Sequence, residues 1–330
     1  MSRLPPDPIY IFRGHNSIIN TVKILNDIII SGDINGQVII WDLKTKKQIL
    51  KWKAHADAIL SIDYIYKKDI IISQGRDNLL LLWDYGLFKR ERDTTIKVSS
   101  SLAIDSLSFC KFNLFQNEDA TQLLLSIPKI NKNEFIDIID LNSKTKIYED
   151  IGVNDIDIKT GMCMCMNLLR KDEKLFLLAG YEYGNVIMWD LENKSICWNK
   201  KFHSEPVFAI DVSNSLKYGV SVSADNIISH FEISQKEPKY KEIKSKSCGF
   251  ADIKFRYDDK IFAIAGWDSK IRIYHAKKLI PLAILSYHRD GVQEIDFLKK
   301  ENDDCGKVNE LISCSKDGCL GLWKKNIINI

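Results

Sequence analysis

The stretch Ser31-Gly32-Asp33-Ile34-Asn35-Gly36-Gln37-Val38-Ile39-Ile40-Trp41-Asp42 decides the fold, because it recurs as Ser73-Gln74-Gly75-Arg76-Asp77-Asn78-Leu79-Leu80-Leu81-Leu82-Trp83-Asp84. Each copy follows a loop histidine, in Gly14-His15 and Ala54-His55. A strand, a tight polar turn and an apolar strand ending in Trp-Asp form one repeating supersecondary unit. Self-similarity at a fixed period must be read before any local propensity.

The step from the turn residue to the aromatic strand end serves as a ruler. It is the same from Asp77 to Trp83, Asn35 to Trp41, Asp225 to Phe231, Asp268 to Tyr274 and Asp317 to Trp323, and Tyr183 stands equally far before Trp189. A degenerate unit, Glu134-Phe135-Ile136-Asp137-Ile138-Ile139-Asp140-Leu141, puts Ile139-Asp140 in the same slot. The slots then fall at 41, 83, 139, 189, 231, 274 and 323, and three of the six gaps are 42 or 43 residues. That spacing suits one four-stranded blade per repeat, of about 40–45 residues. The longer gaps require insertions, at Gly86–Ser101, Gln116–Ala120 and Lys300–Lys307. In the sixth unit the strands are expected near Phe250–Arg256, Ile261–Gly266, Lys270–His275 and Leu282–Tyr287, with period-two alternation in Ala251-Asp252-Ile253-Lys254-Phe255.

The expected fold is therefore all-β, a single seven-bladed propeller over residues 1–330. The last unit stops at the end of its third strand, and Ile9-Tyr10-Ile11-Phe12 has no neighbour of its own. The economical arrangement has 9–12 complete the seventh blade and remove an open edge.

Bulk properties exclude several classes. A formal net charge of +3 gives no field suited to nucleic acid, so direct nucleic-acid binding is not expected. No apolar run approaches the ~18–20 residues of a membrane span, and no membrane partner is expected. The stretch Met1-Ser2-Arg3-Leu4-Pro5-Pro6-Asp7-Pro8 has no apolar core of a secretory signal. Cys110, Cys163, Cys165, Cys197, Cys248, Cys305, Cys314 and Cys319 lie mostly in apolar strand context and read as reduced core thiols. Met162-Cys163-Met164-Cys165-Met166 offers soft metal ligands, but no second ligand pair follows. Strand alternation would place both cysteines on one face and the methionines on the other, as core filler. No Walker loop, zinc-protease helix or dinucleotide glycine pattern occurs. Neither an enzyme nor a cofactor is expected.

Ordered sets of polar residues do recur: His55, Ser73, Asp77 and Trp83; His288, Ser313, Asp317 and Trp323; His15, Ser31, Asn35 and Trp41; and His203, Ser221 and Asp225 with Phe231 in the aromatic slot. Ser, His and Asp together suggest a hydrolase, but a catalytic triad is needed once and these sets repeat. A buried hydrogen-bond chain from carboxylate through imidazole and hydroxyl to indole accounts for them. His230 and His275, beside the aromatic slot, read as surface or strand-end residues. The lysines from Lys236 to Lys246 read as a charged outer edge, and Lys89-Arg90-Glu91-Arg92-Asp93 as a solvated loop.

The motifs at 31–42, 73–84 and 311–323 resemble the WD-repeat family, over about residues 9–323. The opening Pro6-Asp7-Pro8-Ile9-Tyr10-Ile11-Phe12-Arg13-Gly14-His15 resembles, within it, the group of ASTRA-associated and G-protein β-subunit-like proteins. Ala265-Gly266-Trp267-Asp268-Ser269 followed by Lys270–Tyr274 fits that group as well. The resemblance implies a non-catalytic scaffold in a nuclear multi-subunit ASTRA complex. It implies a link to chromatin remodelling and to maturation of phosphatidylinositol-kinase-related kinases, with kinase co-chaperone subunits and AAA+ helicases as protein partners. A nuclear location follows from the resemblance alone, which allows a cytoplasmic pool too. Substrate recognition for a ubiquitin ligase is a competing use of the same ring. By the same resemblance, the residue before the turn carboxylate points onto the narrow face. This selects Ile34, Arg76, Glu182, Ala224, Trp267 and Lys316, with Phe208 and Gln293 nearby, as the partner-binding face.

Overall fold

In a computed structural model, residues 6–25, 27–91, 95–105, 109–153, 159–298 and 310–324 are described. They form seven four-stranded antiparallel sheets, each an up-and-down blade. The first blade runs Ile19–Ile24, Ile28–Asp33, Gln37–Asp42 and Gln48–Lys53 from the ring axis outward. The sixth runs Phe250–Phe255, Ile261–Gly266, Ile271–His275 and Pro281–Leu285. The aromatic slots close the third strands; the degenerate third blade does so with Lys132–Asp140. The Lys300–Lys307 insertion and Cys305 lie outside the described residues. Part of the Gly86–Ser101 insertion is a helix, Tyr85–Glu91, so Lys89 and Arg90 sit on a helix and not in a solvated loop. It is held where the Leu87 amide meets Asp84 and the Lys89 ammonium meets Asp69 at 2.7 Å.

The core is divided. Seven apolar clusters occur among the described residues, and each fills the wedge between two neighbouring blades. In the first blade Ile29, Ile39 and Trp41 face the seventh blade, while Ile30, Val38 and Ile40 face the second. This explains the unbroken runs Ile28-Ile29-Ile30 and Leu80-Leu81-Leu82. A middle strand buried on both faces has no polar side to alternate with.

Ring closure is as expected. Tyr10–Arg13 pairs antiparallel with Cys319–Trp323, with Tyr10 opposite Leu322 and Phe12 opposite Leu320. The Ile9 amide adds a bond to the Leu322 carbonyl at 2.7 Å. Phe12 is buried in the wedge between blades seven and one, 5.4 Å from the Trp41 ring. One strand thus supplies both the missing hydrogen-bond edge and a core side chain.

Six of the innermost strands share a bulge. The register shifts between Ile19 and Thr21, Ile59 and Ser61, Cys163 and Cys165, Val207 and Ala209, Phe250 and Asp252, and Val292 and Glu294. The extra residue in each turns toward the ring axis, which is how a bulge re-aims a side chain. The bulge also overturns the expected alternation at Met162–Met166. Cys163 and Met166 join the wedge toward blade three, and Cys165 joins the wedge toward blade five.

Phe12→Ala is expected to lower stability by about 3–5 kcal/mol, the usual penalty for removing a buried aromatic ring. It should also weaken closure, which a faster unfolding rate in denaturant jumps would register.

Candidate functional site

Two polar systems organise the ring. The first lies within blades. In blade two, His55 Nδ1 is 2.9 Å from Asp77 Oδ1, and Nε2 is 2.7 Å from Ser73 Oγ. The Trp83 indole donates to the same hydroxyl at 2.9 Å. Burial lowers the pKa of His55 despite the opposing field of Asp77. The neutral ring then donates from Nδ1 to Asp77 and accepts the Ser73 proton at Nε2. Blade seven repeats this through His288, Asp317, Ser313 and Trp323, at 3.0, 2.8 and 2.9 Å. Blade five has His203 near Asp225 at 3.2 Å and Ser221 at 2.8 Å. Its Phe231 stacks on Phe202 and carries no donor.

Each carboxylate also pins the backbone. Asp77 accepts from the Ala56 and Leu79 amides, and Asp317 from Arg289 and Cys319. Burial alone would raise the pKa of Asp317, but the bonds from His288 and these amides hold it down to about 2. Ser31, Ser73, Ser221 and Ser313 are fully buried and already bonded, so none is placed to attack a substrate.

Blade one departs from the expected pairing. His15 Nδ1 meets Asp33 Oδ2 at 2.7 Å, and Nε2 meets Ser31 Oγ at 2.8 Å, with the Trp41 indole on Ser31 at 2.9 Å. The partner is Asp33 and not Asn35. A carboxylate two residues earlier reaches the same imidazole and still accepts the Asn35 and Gln37 amides. Asn35 itself is exposed.

Blade six replaces the histidine with a guanidinium that the repeat ruler missed. Arg272 donates to both oxygens of Asp268, at 2.9 and 2.6 Å, and to Ser247 Oγ at 2.7 Å. The signal was present as an arginine inside an otherwise apolar third strand. In blade four Tyr181, fully buried beside Trp189, stands where Asp33 stands in blade one, and Tyr183 takes the turn position. His230 is another correction. It is buried, lies 4.8 Å from the Tyr218 ring, and burial together with Lys241 pulls its pKa down to about 4. His275 is half-buried at a strand end, where its Nδ1 accepts the Lys277 amide.

The second system lines the axis. Each innermost strand is an edge, and its N–H groups on the side away from the second strand face no strand. Side chains of the preceding blade take them up: Glu294 accepts from Val22, Asp296 from Ile24, Thr21 from Ile62, Gln74 from Phe112, Asn113 from Leu168, Asp211 from Phe255 and Asp252 from Ile295, at 2.6–3.2 Å. Between blades four and five the Cys165 thiol donates to the Val207 carbonyl. Lys23, Lys111 and Lys254 balance the carboxylates, with Lys23 3.6 Å from Asp63 and Lys111 3.3 Å from Glu294. Burial opposes the charge on Lys23, but Asp63, Asp296 and Glu294 outweigh it and raise its pKa. Burial pushes Asp252 up to about 6.

This collar encloses an axial cavity of about 520 Å³. Its wall includes Ile34, Arg76, Phe208, Trp267, Gln293 and Lys316, so these expected face residues are brought together. Glu182 and Ala224 are not in the wall. The Glu182 carboxylate turns onto the Met162 amide at 3.2 Å instead. Trp267 is 46% exposed, and its ring meets the Phe208 ring at 5.4 Å, edge to face. Gly249, at φ +81°, leaves room for that indole, since a Cβ there would lie 2.2 Å from Trp267 Cε3. Arg76 lies 4.1 Å over the Phe109 ring. Phe109 was missed because it belongs to no repeat position.

A closed ring of seven blades with His-Ser-Asp-Trp chains defines a WD-repeat β-propeller. Residues 6–42 match the family model described as WD domain, G-beta repeat. The chain is similar to mouse guanine nucleotide-binding protein subunit beta-like protein 1, at 29% identity over 97% of this chain and 96% of the relative. It is also similar to the ASTRA-associated protein 1 of Schizosaccharomyces pombe, 29% identical over 97% of this chain and 99% of the relative. The ASTRA-associated protein 1 of Penicillium rubens is 29% identical over 95% and 84%. The WD repeats and these relatives support a scaffold role.

Asp33→Ala and Asp77→Ala should each cost about 1–3 kcal/mol, because each strands a buried imidazole and two backbone amides. Asn35→Ala should change stability by less than about 0.5 kcal/mol, the usual range for an exposed side chain. Urea midpoints of the three variants separate the outcomes. A second test uses pH. Asp252 has a folded pKa of about 6 against 3.8 for the free group, so the folded state holds its proton more tightly. Its contribution is present below pH ~4 and is lost as pH rises through about 6. Asp252→Asn keeps an acceptor for Ile295 and cannot ionise. Its stability relative to the parent should therefore rise by on the order of 1 kcal/mol between pH 4 and 7 in a urea series.

Proposed function

We propose that the chain is a non-catalytic interaction scaffold, a subunit of a nuclear ASTRA-type assembly that holds partner proteins at the mouth of the axial cavity. The observation that supports this most directly is the pairing of near-full-length similarity to proteins named ASTRA-associated protein 1 with an exposed, preset Trp267–Phe208 and Arg76–Phe109 surface. Trp and Arg dominate interface hot spots because each buries a large area around a directed polar group. A rigid ring offers such residues without an ordering cost at the moment of binding. Following the resemblance, the assembly connects to chromatin remodelling and to maturation of phosphatidylinositol-kinase-related kinases. Its other members include co-chaperone subunits and AAA+ helicases.

Affinity purification of the tagged chain from its own cells, read by mass spectrometry, should recover those subunits. A Trp267→Ala, Arg76→Ala double variant should lose them while keeping the parental thermal midpoint, since neither side chain is buried. Recovery of cullin-type ligase subunits instead would reassign the ring to substrate recognition for ubiquitin transfer.

A further inference from the structure

Four consecutive blades place the residue after the second strand at the cavity mouth: Trp267 in blade six, Lys316 in blade seven, Ile34 in blade one and Arg76 in blade two. Apolar and cationic side chains therefore alternate along one arc, and all four are exposed. Phe208 extends the apolar part beside Trp267, and the 55% exposed Phe109 extends it under Arg76.

The charge is equally one-sided. Of the carboxylates in the cavity wall, Asp63 meets Lys23, Glu294 meets Lys111 and the Val22 amide, and Asp252 accepts the Ile295 amide. Among the described residues, neither Arg76 nor Lys316 has a carboxylate in ion-pair range. On the opposite side, Glu182 is committed to the Met162 amide and Ala224 carries no charge. The mouth thus offers two uncompensated cations interleaved with aromatic and aliphatic surface.

We propose that this arc binds an extended acidic segment of a partner protein, with a bulky apolar side chain seated at the mouth between Trp267–Phe208 and Phe109, and flanking carboxylates on Arg76 and Lys316. The proposal rests on the scaffold reading and names the chemistry of its partner. A carboxylate placed on Arg76 gains from a guanidinium already oriented by the Phe109 face, so little side-chain freedom is lost. A basic segment would meet only carboxylates already engaged, and would have to break those bonds to pair with them.

The test is selection from a randomised peptide library mixing Asp and Glu with Phe, Trp and Leu, against a matched library with Lys in place of the acids and a single-stranded oligonucleotide as competitor. The acidic library should enrich on the parent. Selected peptides, fluorescein-labelled, should bind about tenfold or more weakly to an Arg76→Glu, Lys316→Glu variant and to Trp267→Ala, in anisotropy titrations. Both variants should keep the parental thermal midpoint. A Glu192→Lys variant, at an exposed turn away from the cavity, should bind as the parent does. Enrichment of the basic library, displacement by the oligonucleotide, equal affinity for the charge-reversed variant, or no enrichment at all would overturn the proposal. Copurified subunits are read in parallel. If they persist with Arg76→Glu, Lys316→Glu, this inference fails and the scaffold role stands. If none copurifies with the parent, the scaffold role fails as well.

Discussion

Seven strand edges meet around one axis, and none can pair with another strand. That constraint governs the rest of the molecule. An unbonded backbone N–H buried in the ring would cost about as much as a lost hydrogen bond. Glu294, Asp296, Thr21, Gln74, Asn113, Asp211 and Asp252 remove the penalty by reaching across to the next blade. The carboxylates among them then require Lys23, Lys111 and Lys254 to balance their charge. The polar, charged axis is thus a consequence of closing the ring, and it leaves the apolar material to the wedges between blades. The outer problem is smaller. The seventh blade, three strands at the C-terminal end, receives its fourth, Tyr10–Arg13, from the other end of the chain.

Within each blade a second constraint operates. The tight turn between the second and third strands must be tied to the loop that enters the blade. Three chemical solutions do this. A histidine between carboxylate and serine does it in blades one, two, five and seven. The Arg272 guanidinium does it in blade six, bridging Asp268 and Ser247. Among the described residues of blade four no such bridge forms, and packing around Tyr181 and Trp189 takes over. The sets look catalytic on paper because the same three side chains are good at sharing protons. Burial converts that ability into rigidity.

Much of this was legible in the chain. The repeated turn-to-aromatic step located the third strands even where Ile139 or Phe231 replaced tryptophan, since strand length and turn geometry constrain spacing more tightly than identity. What was not legible depended on local backbone departures. Asp33 was passed over for Asn35 because a ruler based on spacing cannot register that a side chain two residues earlier reaches the same ring. The alternation expected at Cys163 and Cys165 failed at a bulge, which leaves no composition signal. His230 looked like a strand-end residue until its neighbours closed over it. The collar was half visible: Asp252 and Lys254, or Glu294 and Asp296, alternate with apolar residues in strands that a propeller buries. Charges there mark an axis that must be solvated or bonded.

The division of labour between positions explains why the mouth is where a partner belongs. Turn carboxylates and loop histidines are each held by two or more bonds, so substitution there damages the blade. The residue after each second strand, Glu182 apart, has no such duty: Ile34, Arg76, Glu182, Ala224, Trp267 and Lys316 share a place in the fold and almost nothing in chemistry. A position fixed by the backbone and free in side chain is where surface chemistry can diverge without loss of stability. Here it has diverged into an arc of alternating apolar and cationic groups facing a neutral or occupied far side. The ring's symmetry builds seven equal stations around the axis, and the sequence breaks that symmetry only where the scaffold does not need it.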